Sequence, residues 1–186
     1  MPNNRPHALV IVFDGIEEIE ALTPVDILRR AEVDVTVASV DGSPSVTGRN
    51  QITFSADTSL SLASKQTFDL VILPGGPGVL DLAEDQNVRD VLVGQDKAGR
   101  ELAAICAAPK ILAQHGILDE RDATSHISVR DTLPRASNAA VVVDQHLTTS
   151  QGLGTAVEFS LTLVEKLRGK TAAQEIAASI HYTASN

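Results

Sequence analysis

Cys106, the only cysteine in the 186 residues, lies in the apolar segment AAICAAP. The run before it predicts a short buried strand that ends at Ile105, and Pro109 suits the first turn of a following helix. A sharp turn between strand and helix is where many hydrolases expose a nucleophile, and a helix N-terminus lowers the pKa of a nearby thiol. We therefore expect a reactive thiol, the alternative being a buried structural cysteine.

Glu20 lies in a helix predicted over residues 16–31, and on a helical wheel it falls within the apolar arc. The polar strip of that helix holds Glu18, Asp26, Arg29 and Arg30. A carboxyl among apolar residues must be paired or kept neutral by a raised pKa, and a neutral acid can donate a hydrogen bond. Glu20 is therefore the second candidate, unless it simply reaches water at the rim. Pro24 cannot donate to the Glu20 carbonyl, so the helix is expected to start late or to kink.

Gly75 and Gly76 directly follow a buried strand predicted at 68–74. Glycines at such a point let main-chain N–H groups face a cleft, as an oxyanion hole requires. The segment lacks the Gly-Lys-Ser/Thr ending of a phosphate-binding loop, so no nucleotide is expected there. The alternative is a plain tight turn.

His126 is the best general-base candidate among the five histidines, by elimination. It lies just beyond the helix that follows Cys106. The others, His7, His115, His146 and His181, fall in a terminal arm, a helix end, a hairpin and the C-terminal segment. Most single histidines are structural or solvated, and spacing along the chain does not show contact. The glycines of segment 149–155 either line the same cleft or merely turn the chain.

These candidates depend on a chain in which short apolar runs alternate with helical segments. Strands are predicted at 8–13, 33–40, 51–57, 68–74 and 101–105 and as a pair within 139–150, and helices at 16–31, 87–100, 108–116, from Thr155 to Gly169 and from Thr171 onward. Thr155 and Thr171 each have capping-box spacing, and Gly99 suits a helix C-terminus. This order predicts a mostly parallel, doubly wound sheet with helices on both faces. Its site should lie at the carboxyl ends of the strands, where Cys106 falls.

Composition narrows the class of protein. A length of 186 residues with 43% hydrophobic residues predicts one domain, taken as 1–186. A net charge of −9 and 3% aromatic residues make nucleic-acid binding unlikely, because binders need basic patches and stacking platforms. One cysteine excludes an internal disulfide and a cysteine-rich zinc site, and neither a metal nor a cofactor is expected. No secretory signal and no apolar run near ~20 residues is visible, so we expect a cytoplasmic protein without membrane spans.

Five segments together resemble the ThiJ/PfpI superfamily, in the branch of the Parkinson's-disease-associated deglycase and bacterial YajL-like proteins. They are ALVIVFDGIEEIEALTPVDILRRA, DLVILPGGPG, AAICAAP, the histidine of TSH, and TSQGLGTAVEF, in the same order as in the family. The resemblance implies a flavodoxin-like three-layer sandwich that forms a homodimer.

The resemblance also assigns roles. Cys106 would be the nucleophilic, oxidation-prone cysteine, and Glu20 the protonated glutamate that donates to its sulfur. Gly75 and Ala107 would supply main-chain N–H groups, with His126 nearby. Two further positions, Asp26 and Arg49, match residues that this branch uses near the dimer contact.

Ala107 decides between branches of the superfamily. Peptidase-like and chaperone-like members carry histidine directly after the cysteine, so alanine here makes a protease improbable. Gln151 replaces an arginine of the human-type branch, which fits the bacterial type better. The expected function is a cofactor-independent glyoxalase of type III, or the related deglycase, acting on methylglyoxal or glyoxal under carbonyl stress. The alternatives are a redox-sensing chaperone with a cysteine sulfinate, or an amidase or isonitrile-hydratase-like hydrolase.

Overall fold

The computed structural model describes residues 5–183, so the predicted domain of 1–186 extends beyond the described residues at both ends. Within this range the strands are β1 (His7–Val12), β2 (Asp34–Ser39), β3 (Ser45–Thr47), β4 (Thr53–Ser55), β5 (Thr58–Ser59), β6 (Leu70–Leu73), β7 (Glu101–Ile105), β8 (Val141–Asp144) and β9 (Leu147–Ser150). The α-helices are α1 (Glu18–Arg30), α2 (Leu60–Ala63), α3 (Gln86–Lys97), α4 (Pro109–Gln114), α5 (Ile127–Arg130), α6 (Ala156–Arg168) and α7 (Lys170–Ser179). Two 3₁₀ segments, Pro77–Glu84 and Leu153–Thr155, complete the set.

Seven strands form one sheet in the order β5-β2-β1-β6-β7-β9-β8. Neighbouring strands run parallel, except that β8 is antiparallel to β9. The continuous apolar runs of β6 and β7 are buried, as expected for strands covered on both faces. Outside this sheet, β3 and β4 form a small antiparallel hairpin.

Helices cover both faces of the sheet. The chain moves outward from β1 to β2 through α1, and in the opposite direction from β6 to β7 through α3. Right-handed crossovers therefore place α1 and α3 on opposite faces. On one face α1 packs against α6, which packs against α7, whereas α3 contacts α2 on the other. The predicted flavodoxin-like, doubly wound sandwich is confirmed.

The site is positioned where the strand order reverses, between β1 and β6. Connections that leave in opposite directions open a crevice at the carboxyl ends of these strands. The register pairs Leu73 with Ala104 and Ile105 with Ser150, so the turns after β6, β7 and β9 reach the same edge. The fold thus brings three loops together although the ends of β6 and β9, at Leu73 and Ser150, are 77 positions apart in the sequence.

Helix ends differ from the expectation at two places. Both predicted capping boxes are absent: Thr155 bonds back to Gly152 and Ser150, and the last helix begins at Lys170, directly after Gly169. Gly169 has φ +86°, a conformation that ends one helix and starts the next without a side-chain cap. The predicted glycine end of α3 is confirmed, since Gly99 has φ +63°. α1 begins at Glu18 and continues through Pro24, so the expected late start is wrong, and a kink at Pro24 stays a prediction.

Within residues 5–183, no helix is long and apolar enough to cross a membrane. The same residues contain no group of three or more histidine, cysteine or acidic side chains arranged to hold a metal ion.

Candidate active site

Cys106 sits on a strained turn between β7 and α4. Its φ of +66° lies in the left-handed region, which a residue with a side chain adopts only when its surroundings hold it there. Its N–H donates to the Ser150 carbonyl (3.0 Å), and its own carbonyl accepts from the N–H of His126 (2.7 Å). Both main-chain groups are thus fixed, and the side chain, half-buried, lines a cavity of about 420 Å³. This geometry favours the nucleophile over the structural cysteine.

Glu20 extends from α1 to the same turn, and only 1% of it is exposed. Its Oε2 accepts a hydrogen bond from the Gly75 N–H (3.2 Å), and the carboxyl interacts with the Cys106 side chain. Burial raises the pKa of Glu20 to about 7; the contact with Cys106 opposes this and the charge of Glu17 adds to it. At neutral pH both forms of the acid are therefore populated. Glu20 does not reach water at a helix rim.

The pKa of the Cys106 thiol is shifted in the direction opposite to the one expected from the sequence. Burial, followed by the negative charge of Glu20, raises the pKa of Cys106 to about 12, although the N–H groups of Gly76 and Ala107 oppose the shift. α4 has only six residues, so its N-terminus does not outweigh burial beside a carboxylate. Once Glu20 is protonated that charge is gone, and its hydroxyl becomes a donor toward sulfur. The two side chains therefore titrate as a coupled pair.

The two glycines serve different purposes. The Gly75 N–H is directed at Glu20 rather than at open cleft, which corrects the expectation that it faces a substrate oxygen. A Cβ at Gly75 would lie 2.5 Å from the Cys106 Cβ and 2.9 Å from the Ile105 carbonyl, so no larger residue fits. Gly76, with φ +113°, and Ala107 direct their N–H groups toward the sulfur. These two are the available donors for a developing oxyanion.

His126 is brought to the cavity by the loop that precedes α5. It is exposed, and its ring caps that helix by accepting the Ser128 N–H at Nδ1 (3.3 Å). Arg130 fixes the loop, donating to the Ser125 carbonyl from Nε (3.2 Å) and Nη2 (2.6 Å). The structure therefore brings His126, Cys106 and Glu20 to one cleft, and their catalytic roles stay a prediction.

The remaining wall comes from the segment after β9. The cavity is lined by Glu17, Glu20, Arg49, Cys106, His126, Gln151, Gly152, Leu153, Gly154 and Thr155. A Cβ at Gly152 would lie 3.4 Å from Glu20 Oε1, so this glycine keeps the segment close to the acid. The glycines of 149–155 thus line the cleft.

The two predicted dimer-contact residues lie in different places. Arg49 lines the cavity, and its Nε is 3.6 Å from Oε2 of Glu17. Asp26 is exposed on α1 and pairs with Arg30 (2.7 Å), away from the cleft. Contact of either residue with a second subunit stays a prediction.

Comparison with known proteins identifies the family of this chain. The model of the DJ-1/PfpI family matches residues 6–166. The chain belongs to the DJ-1/PfpI family. It is 40% identical over 178 residues to Protein dj-1beta of Drosophila melanogaster, covering 93% of this chain and 95% of the fly protein.

Two further similarities place it within the family. The glutathione-independent glyoxalase DJR-1.2 of Caenorhabditis elegans is 37% identical over 173 residues, covering 91% of this chain and 92% of the nematode protein. The crystal structure of the Drosophila dj-1beta protein superposes with a TM-score of 0.93 and 39% identity, covering 97% of this chain and all of that one.

Sequence reasoning did not single out Glu17 or Ser128. Glu17 is buried, lines the cavity and leaves its Oε1 without a hydrogen-bond partner among the described residues. The feature of the sequence that points to Glu17 is the acidic run of Glu17, Glu18 and Glu20, in which it lies close to Glu20. Ser128 was within reach as a hydroxyl two residues after His126, a common spacing for a local side-chain bond.

Proposed function

We propose that this protein is a cofactor-independent glyoxalase that converts methylglyoxal or glyoxal to the corresponding hydroxy acid through Cys106. A deglycase reaction would begin with the same thiol chemistry. Support comes from the cleft itself and from a family relative that is named a glutathione-independent glyoxalase.

The observation that carries the proposal is the state of Glu20. A proton carrier works best when its pKa lies near the operating pH, because both forms are then available. Burial brings the pKa of Glu20 to about 7, and the carboxyl interacts with the thiol. A carboxyl with a pKa near 7 beside a strained cysteine has the property that a proton carrier for that thiol requires.

In the first step the Cys106 sulfur attacks the aldehyde carbon of methylglyoxal. The thiol proton passes to the Glu20 carboxylate as the carbon–sulfur bond forms, which removes the barrier set by the high pKa of the free thiol. The former carbonyl oxygen becomes an oxyanion, which the N–H groups of Gly76 and Ala107 can stabilise. Glu20 then returns the proton to that oxygen, and a hemithioacetal results.

In the second step a proton moves between neighbouring carbons. Glu20, again a carboxylate, removes the hydrogen from the carbon bonded to sulfur and delivers it to the adjacent carbon through an enediol. The product is a lactyl thioester on Cys106. Water hydrolyses this thioester, which releases lactate and restores the thiol, so that methylglyoxal and one water give one lactic acid.

The decisive experiment compares wild type with Cys106→Ser for lactate formation from methylglyoxal without glutathione. Serine is a poor nucleophile without an activating base, so turnover should fall to background. Ala98→Ser adds the same hydroxyl at the exposed end of α3 and should leave the rate unchanged. Lactate production by Cys106→Ser at the wild-type rate would refute the proposal.

A second candidate function is redox sensing, and the donors around the sulfur favour it. The N–H groups of Gly76 and Ala107 and a neutral Glu20 are oriented to donate to oxygens on an oxidised Cys106. We expect mild peroxide to convert Cys106 to the sulfinate and Glu20→Gln to reduce its yield. Mass spectrometry of intact protein measures both, and a thiol that survives peroxide excludes this role.

We also propose that the protein forms a homodimer through α1. Ile19 on this helix and Leu153 at the cleft are large apolar side chains that remain exposed. Sedimentation at micromolar concentration should give twice the chain mass, and a mass of one chain would contradict the dimer.

A further inference from the structure

The imidazole of His126 has one edge bound within its own loop. Its Nδ1 lies 2.8 Å from the Ser128 hydroxyl oxygen and 3.3 Å from the Ser128 main-chain nitrogen. The hydroxyl and the main-chain N–H of Ser128 therefore both contact Nδ1. A main-chain N–H can only donate, so Nδ1 must accept.

An imidazole nitrogen that accepts a hydrogen bond carries no hydrogen. In the neutral ring the single N–H is consequently on the other nitrogen, Nε2. The Ser128 hydroxyl can then only donate to Nδ1, so the two Ser128 donors share its one in-plane lone pair in a three-centre hydrogen bond. Two donors from one residue thus select one tautomer of His126.

The opposite edge of the ring faces the reactive groups. A Cβ at Gly152 would lie 3.9 Å from Cδ2 of His126, the carbon bonded to Nε2. The same point would lie 4.0 Å from the Cys106 Cβ and 3.4 Å from Glu20 Oε1. The Cδ2–Nε2 edge therefore borders the space that the thiol and the acid share.

The main chain keeps this edge in place. The N–H of His126 donates to the Cys106 carbonyl at 2.7 Å, which ties the histidine directly to the strained turn. The Ser125 carbonyl, one residue earlier, accepts two hydrogen bonds from Arg130. These bonds fix the backbone of the loop, and the contacts of Nδ1 with Ser128 determine which edge of the ring faces the cleft.

We propose that Ser128 is a positioning residue that holds His126 as the neutral Nε2–H tautomer, so that the ring donates a hydrogen bond to the substrate oxygen instead of accepting a proton. This inference rests on the proposed function and deepens it. A nitrogen that already carries a hydrogen cannot act as a base. Glu20 is then the residue that moves the proton between carbons, and His126 stabilises the oxygen.

The tautomer is read directly by nuclear magnetic resonance, independently of activity. In uniformly ¹⁵N-labelled protein at pH 8, long-range ¹H–¹⁵N spectra distinguish a protonated from an unprotonated ring nitrogen. The His126 signals are assigned by their loss in His126→Gln. We expect a protonated Nε2 and an unprotonated Nδ1; a protonated Nδ1 overturns the proposal whether or not methylglyoxal is a substrate.

A matched pair of substitutions tests the donor role. The side-chain amide of glutamine reaches the position of Nε2, whereas that of asparagine reaches the position of Nδ1. We expect His126→Gln to keep methylglyoxal turnover within about tenfold of wild type and His126→Asn to lose about 100-fold, as when an oxyanion donor is removed. Equal losses in both variants would show that a base was removed, and would overturn the donor role.

Substitutions of Ser128 test the positioning role. Ser128→Ala deletes the closer of the two donors to Nδ1, and we expect a mixture of tautomers and a kcat about threefold to tenfold lower, with KM unchanged. Ser128→Thr keeps the hydroxyl and should restore both the spectrum and kcat. A spectrum of Ser128→Ala identical to that of wild type would overturn the role of Ser128.

Discussion

Two glutamates of α1, Glu18 and Glu20, have the same small exposed fraction and yet opposite pKa shifts. Each is 1% exposed. Burial raises the pKa of Glu18, but hydrogen bonds from main-chain groups, including Asn50 and Ile52, and from the Asn50 side chain outweigh it and lower the pKa overall. Burial of Glu20 dominates and raises its pKa to about 7.

The difference lies in the donors that each carboxyl finds and in how deeply its oxygens lie among protein atoms, which is greater for Glu20. Glu18 accepts from the Asn50 N–H (2.7 Å), the Asn50 amide (3.1 Å) and the Ile52 N–H (3.4 Å), all from the connection between β3 and β4. Gly48 provides the room, because a Cβ there would overlap the Glu18 carboxyl. Glu20 accepts from the Gly75 N–H (3.2 Å), and the thiol and the Leu153 main chain add weaker contacts, which together lower its pKa less than burial raises it. Because several hydrogen bonds stabilise its charged form, Glu18 is an anion that holds the hairpin of β3 and β4 in place (the Glu18 clamp). Glu20 accepts fewer strong hydrogen bonds, so its carboxyl can take up and release a proton near neutral pH.

The largest expected effect separates the two glutamates by activity. Glu20→Gln retains an oxygen for the Gly75 N–H but cannot carry a proton, so kcat for methylglyoxal should fall about 10²- to 10⁴-fold. Asn50→Ala perturbs only the Glu18 clamp and should keep the wild-type rate. Measurement of lactate release in both variants gives the comparison, and similar rates would mean that Glu20 is not the proton carrier.

The next effect concerns stability. In Glu18→Gln the amide oxygen can keep the main-chain donors of Asn50 and Ile52, but the charge is lost and the new N–H₂ faces the Asn50 side-chain amide, so the free energy of unfolding at pH 7 should fall by about 2 to 3 kcal/mol. Urea unfolding followed by circular dichroism measures it. Glu20→Gln is the matched control and should lose much less, since its amide can still accept from Gly75. If both variants lost the same amount, the two sites would not differ in donor number.

The pH dependence of stability should carry the signature of Glu20. Its pKa rises from 4.5 in the unfolded chain to about 7 in the fold, so the folded state keeps the proton up to a higher pH than the unfolded chain does. The stabilisation is complete below pH 4.5 and is lost as the pH rises to 7, by about 2 to 3 kcal/mol.

Urea unfolding of wild type and Glu20→Gln at pH 5 and pH 8 isolates that loss from the titration of other groups. The variant should lack it, so the wild type should weaken relative to the variant at the higher pH. A constant difference between the two proteins would show that the acid titrates normally.

Much of this site follows from sequence because its signals are local. Alternating apolar runs give the parallel sheet, and the strand that ends at Ile105 places Cys106 at a functional edge. Glu20 stands out as an acid in an apolar arc. The expectation for Glu18 was wrong: the helical wheel puts it on the polar strip, yet Asn50, 32 residues later, covers it. A wheel describes one helix and contains nothing of the hairpin packed on it.

The expectation for the pKa of the Cys106 thiol was wrong for a similar reason. The expected lowering of the Cys106 pKa came from a helix N-terminus, a local feature. Burial and the approach of Glu20 are tertiary, and they dominate. The direction of the Gly75 N–H also depends on Glu20, 55 residues away. Signals between elements distant in sequence are thus where the expectations needed correction.

The smallest effect dissects the Glu18 clamp itself. Asn50→Ala removes the side-chain amide at 3.1 Å but keeps the main-chain N–H at 2.7 Å, so the free energy of unfolding at pH 7 should fall by about 1 kcal/mol. The folded pKa of Glu18 is lowered, so its stabilisation is present above pH 4.5 and is lost as the pH falls through that lower value. The difference between Asn50→Ala and wild type should therefore shrink on acidification, opposite to the behaviour of Glu20→Gln. Urea unfolding at pH 7 and pH 3 measures the trend, and an undiminished difference at pH 3 would show that the amide acts through packing rather than through the charge of Glu18.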